Sequence, residues 1–347
     1  MDTANTDINC RRGCRLLLLT SIIILSLGLN LLGIWWGQFH PDDITSLVLC
    51  MLKNGTFEPP HYYYPTFFIY VALISSIIPE KAFEIINLIF SGCDPRSALW
   101  MLKIPNPWQP TPLEYIGPRI LTSLIGTLGV YLTYCLGKMC FTVRTGLIAA
   151  LLLASCMGYV TNSHFATTDI PVTVMMVLAA LTCFRAHRNA TAESYALAGL
   201  TIGLATSTKY YGITMLFPFL FVHIIALRNK RIAWGRMPLS FAFVLIGFVA
   251  GTPYSLFSFF KFTGQFLQMN ITGPVLSGIN APIGYISHFK NLIKLMGAPL
   301  FLTTLACLVY SLYHLLKNRK FEMAYLWIGF TPFWKQTSYT GWCCARE

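Results

Sequence analysis

LLLLTSIIILSLGLNLLGIWW, residues 16–36, is an apolar run without a single ionisable side chain. A helix of about 20 such residues spans the roughly 30 Å hydrocarbon core of a bilayer, whereas the core of a signal peptide is shorter. No small-residue cleavage site follows the run, and it ends at Trp35 and Trp36, whose indoles suit the membrane interface. The stretch therefore predicts an uncleaved transmembrane helix near the start of the chain.

The composition of the whole chain also indicates that the protein lies in a lipid bilayer. Of its 347 residues, 55% are hydrophobic and only 11% are charged. A soluble domain carries about a quarter charged residues, because its surface must stay hydrated. The chain has too little charge to cover a water-soluble globule, which excludes the soluble enzyme classes.

The formal net charge of +12 is concentrated in clusters beside the apolar runs. This is the pattern of short cytoplasmic loops under the positive-inside rule, so we expect no nucleic-acid partner. The clusters are Arg11, Arg12 and Arg15; Lys138 and Arg144; Arg185 and Arg188; and the basic residues of 228–236 and 317–320. Residues 1–15 are accordingly predicted to be a cytoplasmic tail. The eleven cysteines show neither a CxxC pair nor a His/Cys metal spacing, so no metal site is predicted.

Further apolar runs predict eight or nine transmembrane helices. They lie at 118–138, 143–161, 170–184, 195–208, 211–227, 237–254 and 295–316, and a ninth begins near Met323. The predicted fold class is all-α, a polytopic transmembrane helix bundle over residues 16–335. Two runs, 170–184 and 195–208, are short for a span and need neighbouring helices to cover the mismatch.

With the basic clusters inside, residues 37–117 form a long first extracytoplasmic loop. Its apolar runs 66–78 and 82–90 are too short to span comfortably, which predicts helices lying in the outer interface. A spanning hairpin is the alternative. Loops of this length are usually functional.

Four ionisable residues lie at helix ends on the predicted outer face. Asp42 and Asp43 follow the first helix, Asp169 closes the loop 163–169, and Lys209 lies in a turn between two helices. Charged groups in a membrane cost about 2.5–3.5 kcal/mol at the bilayer centre, so those that persist are candidates for function. Each also has a structural interpretation, because Asp caps helices and Lys snorkels to the headgroups.

An ordered series of motifs carries a resemblance to a known family. The motifs are HPDD at 40–43, PPHYYYP at 59–65, Pro118-Arg119 with Gly126, SHFATTD at 163–169, GLATSTKY at 203–210 and GTPY at 251–254. Over roughly residues 15–330 the chain resembles the phospholipid-carrier-dependent glycosyltransferases. This GT-C superfamily contains the protein O-mannosyltransferases and the aminoarabinose transferase of lipid A.

The resemblance implies a membrane glycosyltransferase of the hexosyl or pentosyl class. It would move a sugar from a polyprenyl-phosphate donor to a protein or lipid acceptor on the extracytoplasmic side. The expected partners are therefore this lipid-linked sugar, the acceptor and membrane lipids. The expected location is the plasma membrane, or the endoplasmic reticulum of a eukaryote.

By the same resemblance, Asp42 would be the general base, with Asp43 beside it and Asp169 as a second acidic group. Lys209 and Arg119 would bind the donor phosphate. The aromatic and imidazole groups predicted to bind substrate are His61, Tyr64, His164 and Tyr210. Asp169 would orient either the donor or a divalent cation, which is the one cofactor that the resemblance leaves open.

The chain departs from the family pattern in three places. The first motif of the family is commonly Asp-Glu, whereas this chain has Asp42-Asp43, and Thr45 stands where some members carry Arg. Residues 336–347 break the apolar pattern and predict an atypical, truncated tail.

The alternatives to a glycosyltransferase are a transporter or lipid flippase, or an inactive homologue. Transporters place charges near the bilayer midplane in repeated halves, so charges at helix ends on one face favour the transferase.

Overall fold

The computed structural model describes residues 2–34, 40, 42–76, 113–229, 235–268, 293–318 and 325. These parts of the chain contain helices, turns and loops and no strand, which confirms the predicted all-α class. The helices are α1 (Asp2–Leu31), α2 (Thr45–Asn54), α3 (Phe67–Ser76), α4 (Leu113–Cys140), α5 (Val143–Ala154), α6 (Met157–Ser163), α7 (Asp169–Asn189), α8 (Ala192–Thr208), a 3-10 helix (Tyr210–Met215), α9 (Leu216–Arg228), α10 (Arg236–Gly251), α11 (Tyr254–Phe257), α12 (Phe259–Leu267) and α13 (Ala298–Asn318).

Among the described residues, four helical segments are long and apolar enough to cross a membrane. They are Gly13–Leu31, Tyr115–Cys140, Asp169–Asn189 and Tyr210–Arg228. Helices α5 and α6 add a fifth if the 62° bend between them belongs to one broken span. The predicted count of eight or nine is not confirmed, since α10, for example, has only 16 residues, fewer than the ~20 of a straight span.

Several predictions fall at the edges of the described residues. Helix α1 already begins at Asp2, so the predicted N-terminal tail continues the first span as helix. The apolar run 66–78 corresponds to α3, a 10-residue helix whose buried residues form one core with those of α2. The run 82–90, the helix from Met323 and the tail 336–347 lie outside the described residues, except for Tyr325.

The central helix α8 packs directly against α10. A methyl group on Gly199 would overlap the Ser240 carbonyl oxygen, and one on Gly203 would overlap that of Val244. Small residues let helix backbones approach closely where lipid provides no hydrophobic driving force between helices. The Ser240 hydroxyl also donates to the Tyr195 carbonyl at 2.9 Å, which joins the same two helices. Helix α8 is thus held rigidly, and its last residues begin the site described below.

Basic residues and site candidates lie at opposite ends of the same helices. Lys138 lies in the last turn of α4, and Arg188 lies in the last turn of α7. At the other ends of these two helices lie Arg119 and Asp169, respectively. The bundle therefore has one basic end and one end that carries the candidate chemistry, as the positive-inside interpretation requires.

Candidate functional site

Two motif loops meet at the site end of the bundle. The Ile44 amide, just after Asp42 and Asp43, donates to the Ala166 carbonyl at 3.0 Å. In the same 163–169 loop, His164 Nε2 lies 3.0 Å from the Leu29 carbonyl oxygen near the end of α1. The loop after α1 is thus fixed to the loop that leads into Asp169.

The two carboxylate oxygens of Asp43 lie beside different groups. Its Oδ1 accepts hydrogen bonds from the Thr45 amide at 3.0 Å and from the Thr45 hydroxyl at 2.7 Å. Its Oδ2 lies 3.8 Å from Arg119 Nη2, and only 4% of the Asp43 side chain is exposed. Asp43 therefore caps the first turn of α2, the role that the structural interpretation gave to this pair of aspartates.

Arg119 is buried beside that cap. Its side chain is only 1% exposed, and its Nη1 donates to the Ile34 carbonyl at 3.0 Å. The guanidinium carbon lies 5.4 Å from the ring centre of Phe165 and 5.8 Å from that of Tyr115. Arg119 thus connects the end of α1 to Asp43 in the protein interior.

Asp42 directs its carboxylate away from the cap. Its Oδ1 accepts a 2.7 Å hydrogen bond from the Tyr64 hydroxyl, and its own amide donates to His40 Nδ1 at 3.1 Å. The Asp42 residue is partly exposed. The two adjacent carboxylates thus have different partners: that of Asp43 accepts from Thr45 at the start of α2, and that of Asp42 accepts from Tyr64.

Lys209 and Asp169 form an ion pair. The Lys209 ammonium donates to Asp169 Oδ1 at 2.7 Å, with 13% of the lysine side chain and 38% of the aspartate side chain exposed. Lys209 Nζ also lies 5.7 Å from the ring centre of Tyr64 and 5.6 Å from that of Tyr211. In this structure Lys209 contacts a carboxylate and two rings rather than extending toward solvent.

Tyr64 joins these pairs into one cluster of Asp42, Tyr64, Lys209 and Asp169. The segment that carries Tyr64 is fixed by the GTPY motif. The Thr66 hydroxyl donates to the Gly251 carbonyl at 2.9 Å, and the Thr252 and Ser207 hydroxyls lie 2.7 Å apart. The end of α8 therefore determines where both Lys209 and Tyr64 lie.

The predicted substrate-binding residues other than Tyr64 contact neighbouring groups of the protein. His61 stacks on Tyr63 with ring centres 4.3 Å apart, and burial lowers its pKa, which favours the neutral imidazole. Tyr210 donates to the Tyr62 carbonyl at 2.9 Å, and His164 contacts Leu29. Within the described residues, only Tyr64 of these four has a side chain in contact with Asp42 or Lys209.

Some contributors gave no clear signal in the sequence. Tyr211 lies beside Lys209, and helix α12 supports the PPHYYYP segment, because Gln265 Oε1 accepts from the Tyr62 amide at 2.6 Å. The ring centre of Phe266 lies 4.9 Å from that of Tyr210. Tyr211 could be anticipated only as the second tyrosine after Lys209, and no feature of the sequence indicated Gln265.

A divalent cation finds no ready site in the described part of the chain. No group of three or more His, Cys, Asp or Glu side chains there is placed to hold a metal ion. Protein-bound divalent cations need several such oxygen or nitrogen ligands. We therefore assign no step to a metal.

Comparisons with known proteins identify the family and the fold. The sequence model of the dolichyl-phosphate-mannose-protein mannosyltransferase family matches residues 76–270. No curated protein sequence matches the chain. Among solved structures, ArnT from Cupriavidus metallidurans in the apo state is similar at a TM-score of 0.58 and 13% identity, covering 95% of this chain and 55% of that one.

Two further solved structures are also similar to the chain in fold. ArnT from the same organism bound to undecaprenyl phosphate has a TM-score of 0.51 and 16% identity, covering 74% of this chain and 44% of that one. The Archaeoglobus fulgidus oligosaccharyltransferase in complex with Zn and sulfate has a TM-score of 0.53 and 18% identity, covering 93% and 47%. The chain spans about half the length of these structures, and at such identities they show a shared fold.

The family match includes Arg119, Asp169 and Lys209, while Asp42 and Tyr64 precede it. The structure brings residues of both parts together in one cluster. Because the family model covers more than half of the sequence, the chain belongs to the dolichyl-phosphate-mannose-protein mannosyltransferase family, a GT-C family of polytopic membrane proteins.

Proposed function

We propose that this chain transfers a sugar from a polyprenyl-phosphate donor to a protein or lipid acceptor on the extracytoplasmic side of a membrane. One observation carries the proposal. The Asp42 carboxylate and the Lys209 ammonium both contact Tyr64, so a base and a cation lie in one partly exposed cluster. Sugar transfer from a lipid phosphate needs one group of each kind.

Asp42 would act on the acceptor. The acceptor oxygen attacks the anomeric carbon, the bond from that carbon to the phosphate oxygen breaks, and the acceptor proton passes to the Asp42 carboxylate. A positioned base typically contributes 10²–10⁴-fold to such a step. Asp42 suits this role because Tyr64 links its carboxylate to Lys209, whereas the Asp43 carboxylate is held by Thr45 and lies 3.8 Å from the buried Arg119.

Lys209 would act on the departing polyprenyl phosphate. Negative charge grows on the phosphate as the bond breaks, and a fixed cation stabilises that charge more in the transition state than before it. Asp169 holds the ammonium at 2.7 Å, so the cation is positioned before the donor binds. The phosphate would then share Lys209 with Asp169.

Arg119 and Asp43 would support the site indirectly. We infer that the buried Arg119 holds Asp43, which in turn fixes the turn that presents Asp42. The alternative role of Arg119 as a ligand of the donor phosphate needs an open path to its guanidinium, and the side chain is 1% exposed. A positioning role is therefore the better proposal for Arg119 and Asp43.

The family description suggests the first donor and acceptor to test, dolichyl-phosphate-mannose and a protein. The test uses the full chain in lipid vesicles with a radiolabelled lipid-linked sugar and a serine-containing peptide. We expect label in the peptide with the wild-type chain and a loss of about 100-fold or more with Asp42→Asn. Equal transfer by both chains would overturn the proposal, and no transfer to the peptide from dolichyl- or undecaprenyl-linked sugars would overturn its protein-acceptor form.

A further inference from the structure

A second polar cluster surrounds a cavity at the far end of α2. The cavity has a volume of about 210 Å³, and its lining includes Thr56, Glu58, Pro59 and Pro60 of the outer loop and Lys261 of α12. Clefts that enclose a whole small ligand measure about 300–1,000 Å³. This cavity is smaller, so it suits one side chain or a short part of a longer molecule.

Glu58 is the centre of this cluster. Its Oε1 accepts hydrogen bonds from Lys261 Nζ at 2.9 Å, from the Ser258 hydroxyl at 3.1 Å and from the Tyr62 hydroxyl at 3.1 Å. The hydrogen bond from Lys261 is the largest cause of the lowered pKa of Glu58, which keeps the carboxylate ionised. The side chains of Lys261 and Glu58 are 42% and 33% exposed, so both charges remain accessible to a ligand.

The cavity and the candidate active site lie at opposite ends of one short helix. Asp43 caps the start of α2, and the cavity lies at its end. Helix α2 has 10 residues, which at about 1.5 Å per residue separates the two places by about 15 Å. An extended polypeptide covers that distance in about four or five residues.

The segment that carries Tyr64 also connects the two places. The Tyr62 hydroxyl donates to Glu58, and two residues later the Tyr64 hydroxyl donates to Asp42. A ligand bound at Glu58 therefore contacts the same segment that positions Asp42. This juxtaposition suits a long acceptor that occupies both places at once.

We propose that the cavity is a subsite for a polypeptide acceptor, holding the residue four or five positions from the hydroxyl that receives the sugar. The inference deepens the proposed transferase function and rests on it. A peptide is favoured because its N–H groups can donate to Glu58 and its carbonyls can accept from Lys261, while Pro59 and Pro60 offer apolar surface. A phosphorylated lipid headgroup is disfavoured, since the Glu58 carboxylate repels phosphate.

The test measures peptide binding directly, without turnover. A fluorescent ten-residue peptide with one central serine is compared with a three-residue version, using the full chain in lipid nanodiscs and fluorescence anisotropy. We expect the long peptide to bind about tenfold more tightly, as the loss of one charge-assisted hydrogen bond implies for the short one. Glu58→Gln and Lys261→Met should remove this length dependence.

Lys53→Met is the matched control. Lys53 is an exposed lysine on the last turn of α2 and does not line the cavity. The control variant should keep the tenfold difference. If the Glu58 and Lys261 variants weaken both peptides equally, the pair is only structural and the proposal is wrong.

A second measurement covers the case in which these variants fold poorly. A photoreactive residue four or five positions from the serine should crosslink the wild-type chain within residues 56–60 or at Lys261. Crosslinks that lie elsewhere, or competition at the cavity by a phosphorylated glycolipid and not by the peptide, would overturn the subsite. Length-dependent binding without any sugar transfer would support the subsite and count against the transferase proposal alone.

Discussion

The hydroxyl of Tyr64 donates a 2.7 Å hydrogen bond to Asp42 Oδ1. The ring of the same side chain lies 5.7 Å from Lys209 Nζ, within the range of a cation–π contact. One aromatic residue therefore contacts both the proposed base and the proposed cation. The hydrogen bond can be removed alone or together with the ring contact, which makes Tyr64 the most informative residue of the cluster.

Tyr64→Phe keeps the ring beside Lys209 and removes the hydroxyl that donates to Asp42. We expect the kcat of sugar transfer to fall about tenfold, because the base loses its fixed orientation, while the KM for the donor stays unchanged. Tyr64→Leu should in addition raise the donor KM, since it also removes the ring face. Steady-state kinetics with varied donor separate the two effects, and identical kinetics for both variants would contradict them.

Lys209→Ala should weaken use of the lipid-phosphate donor, and Lys209→Arg should retain part of it because the charge survives. Asp169→Asn removes the partner that holds Lys209 at 2.7 Å. If Asp169 acts through Lys209, adding Asp169→Asn to Lys209→Ala should cost little further activity. The measurement is kcat/KM for the donor in the wild-type chain and the four variants. Normal donor dependence of Lys209→Ala would leave the lysine with a structural role alone.

The helix bounds were largely predictable because the length of an apolar run is a local property of the sequence. The run 195–208 corresponds to α8 (Ala192–Thr208), and 118–138 lies within α4 (Leu113–Cys140). The run 143–161 was predicted as one span, whereas the structure has a 62° break before Met157. Hydropathy does not detect such a bend, since apolar residues lie on both sides of it.

The candidate site was predictable in its residue types and less so in its pairings. Asp42, Asp169 and Lys209 were identified as charges at helix ends, and the structure brings them together. Which partner each would take depends on how separate loops pack, and no local pattern contains that information. The burial of Arg119 against Asp43, for example, follows from contacts with Ile34 and Phe165.

The sidedness of the bundle can be tested by labelling. Asn54 is exposed at the end of α2, and Glu193 is exposed in the first turn of α8 at the basic end of the bundle. In a cysteine-free chain, Asn54→Cys should react with a membrane-impermeant maleimide added outside, and Glu193→Cys only after permeabilisation. The reverse pattern would place the proposed site in the cytoplasm and overturn the functional assignment.

The contact between α8 and α10 predicts a position that is sensitive to substitution. Gly203→Val would place a methyl group against the Val244 carbonyl oxygen and force the two helices apart. Overpacking of this kind costs typically 1–3 kcal/mol or more, so the variant should lose thermal stability and activity together. Gly28→Val is the matched control, because a Cβ atom added at Gly28 of α1 meets no atom within 4 Å. Equal melting temperatures for the two variants would contradict the close packing.

Substitutions of the two adjacent aspartates can distinguish the role of a catalytic base from that of a helix cap. Asp42→Asn keeps the size of the side chain and removes its basicity, so the variant should fold normally and lose about 100-fold or more in sugar transfer. Asp43→Asn should keep the cap, since Asn ranks with Asp at that position, and should retain much of its activity. Asp43→Ala removes both the cap and the carboxylate that lies 3.8 Å from the buried Arg119. The lost cap alone costs about 1 kcal/mol, and removing a carboxylate from beside a buried guanidinium adds to that, so this variant should be the least stable of the three.

Transfer rates and melting temperatures of these variants, measured together, decide between the two roles. If Asp42 is the base, different substitutions affect the transfer rate and the stability. Asp42→Asn then lowers the transfer rate, and Asp43→Ala lowers the melting temperature. If Asp43→Asn abolishes turnover while Asp42→Asn leaves it intact, the base is Asp43, and the Arg119 contact at 3.8 Å becomes part of the catalytic machinery. If Asp42→Asn, Asp43→Asn and Asp169→Asn all work at the full rate, a transferase centred on these carboxylates is not tenable.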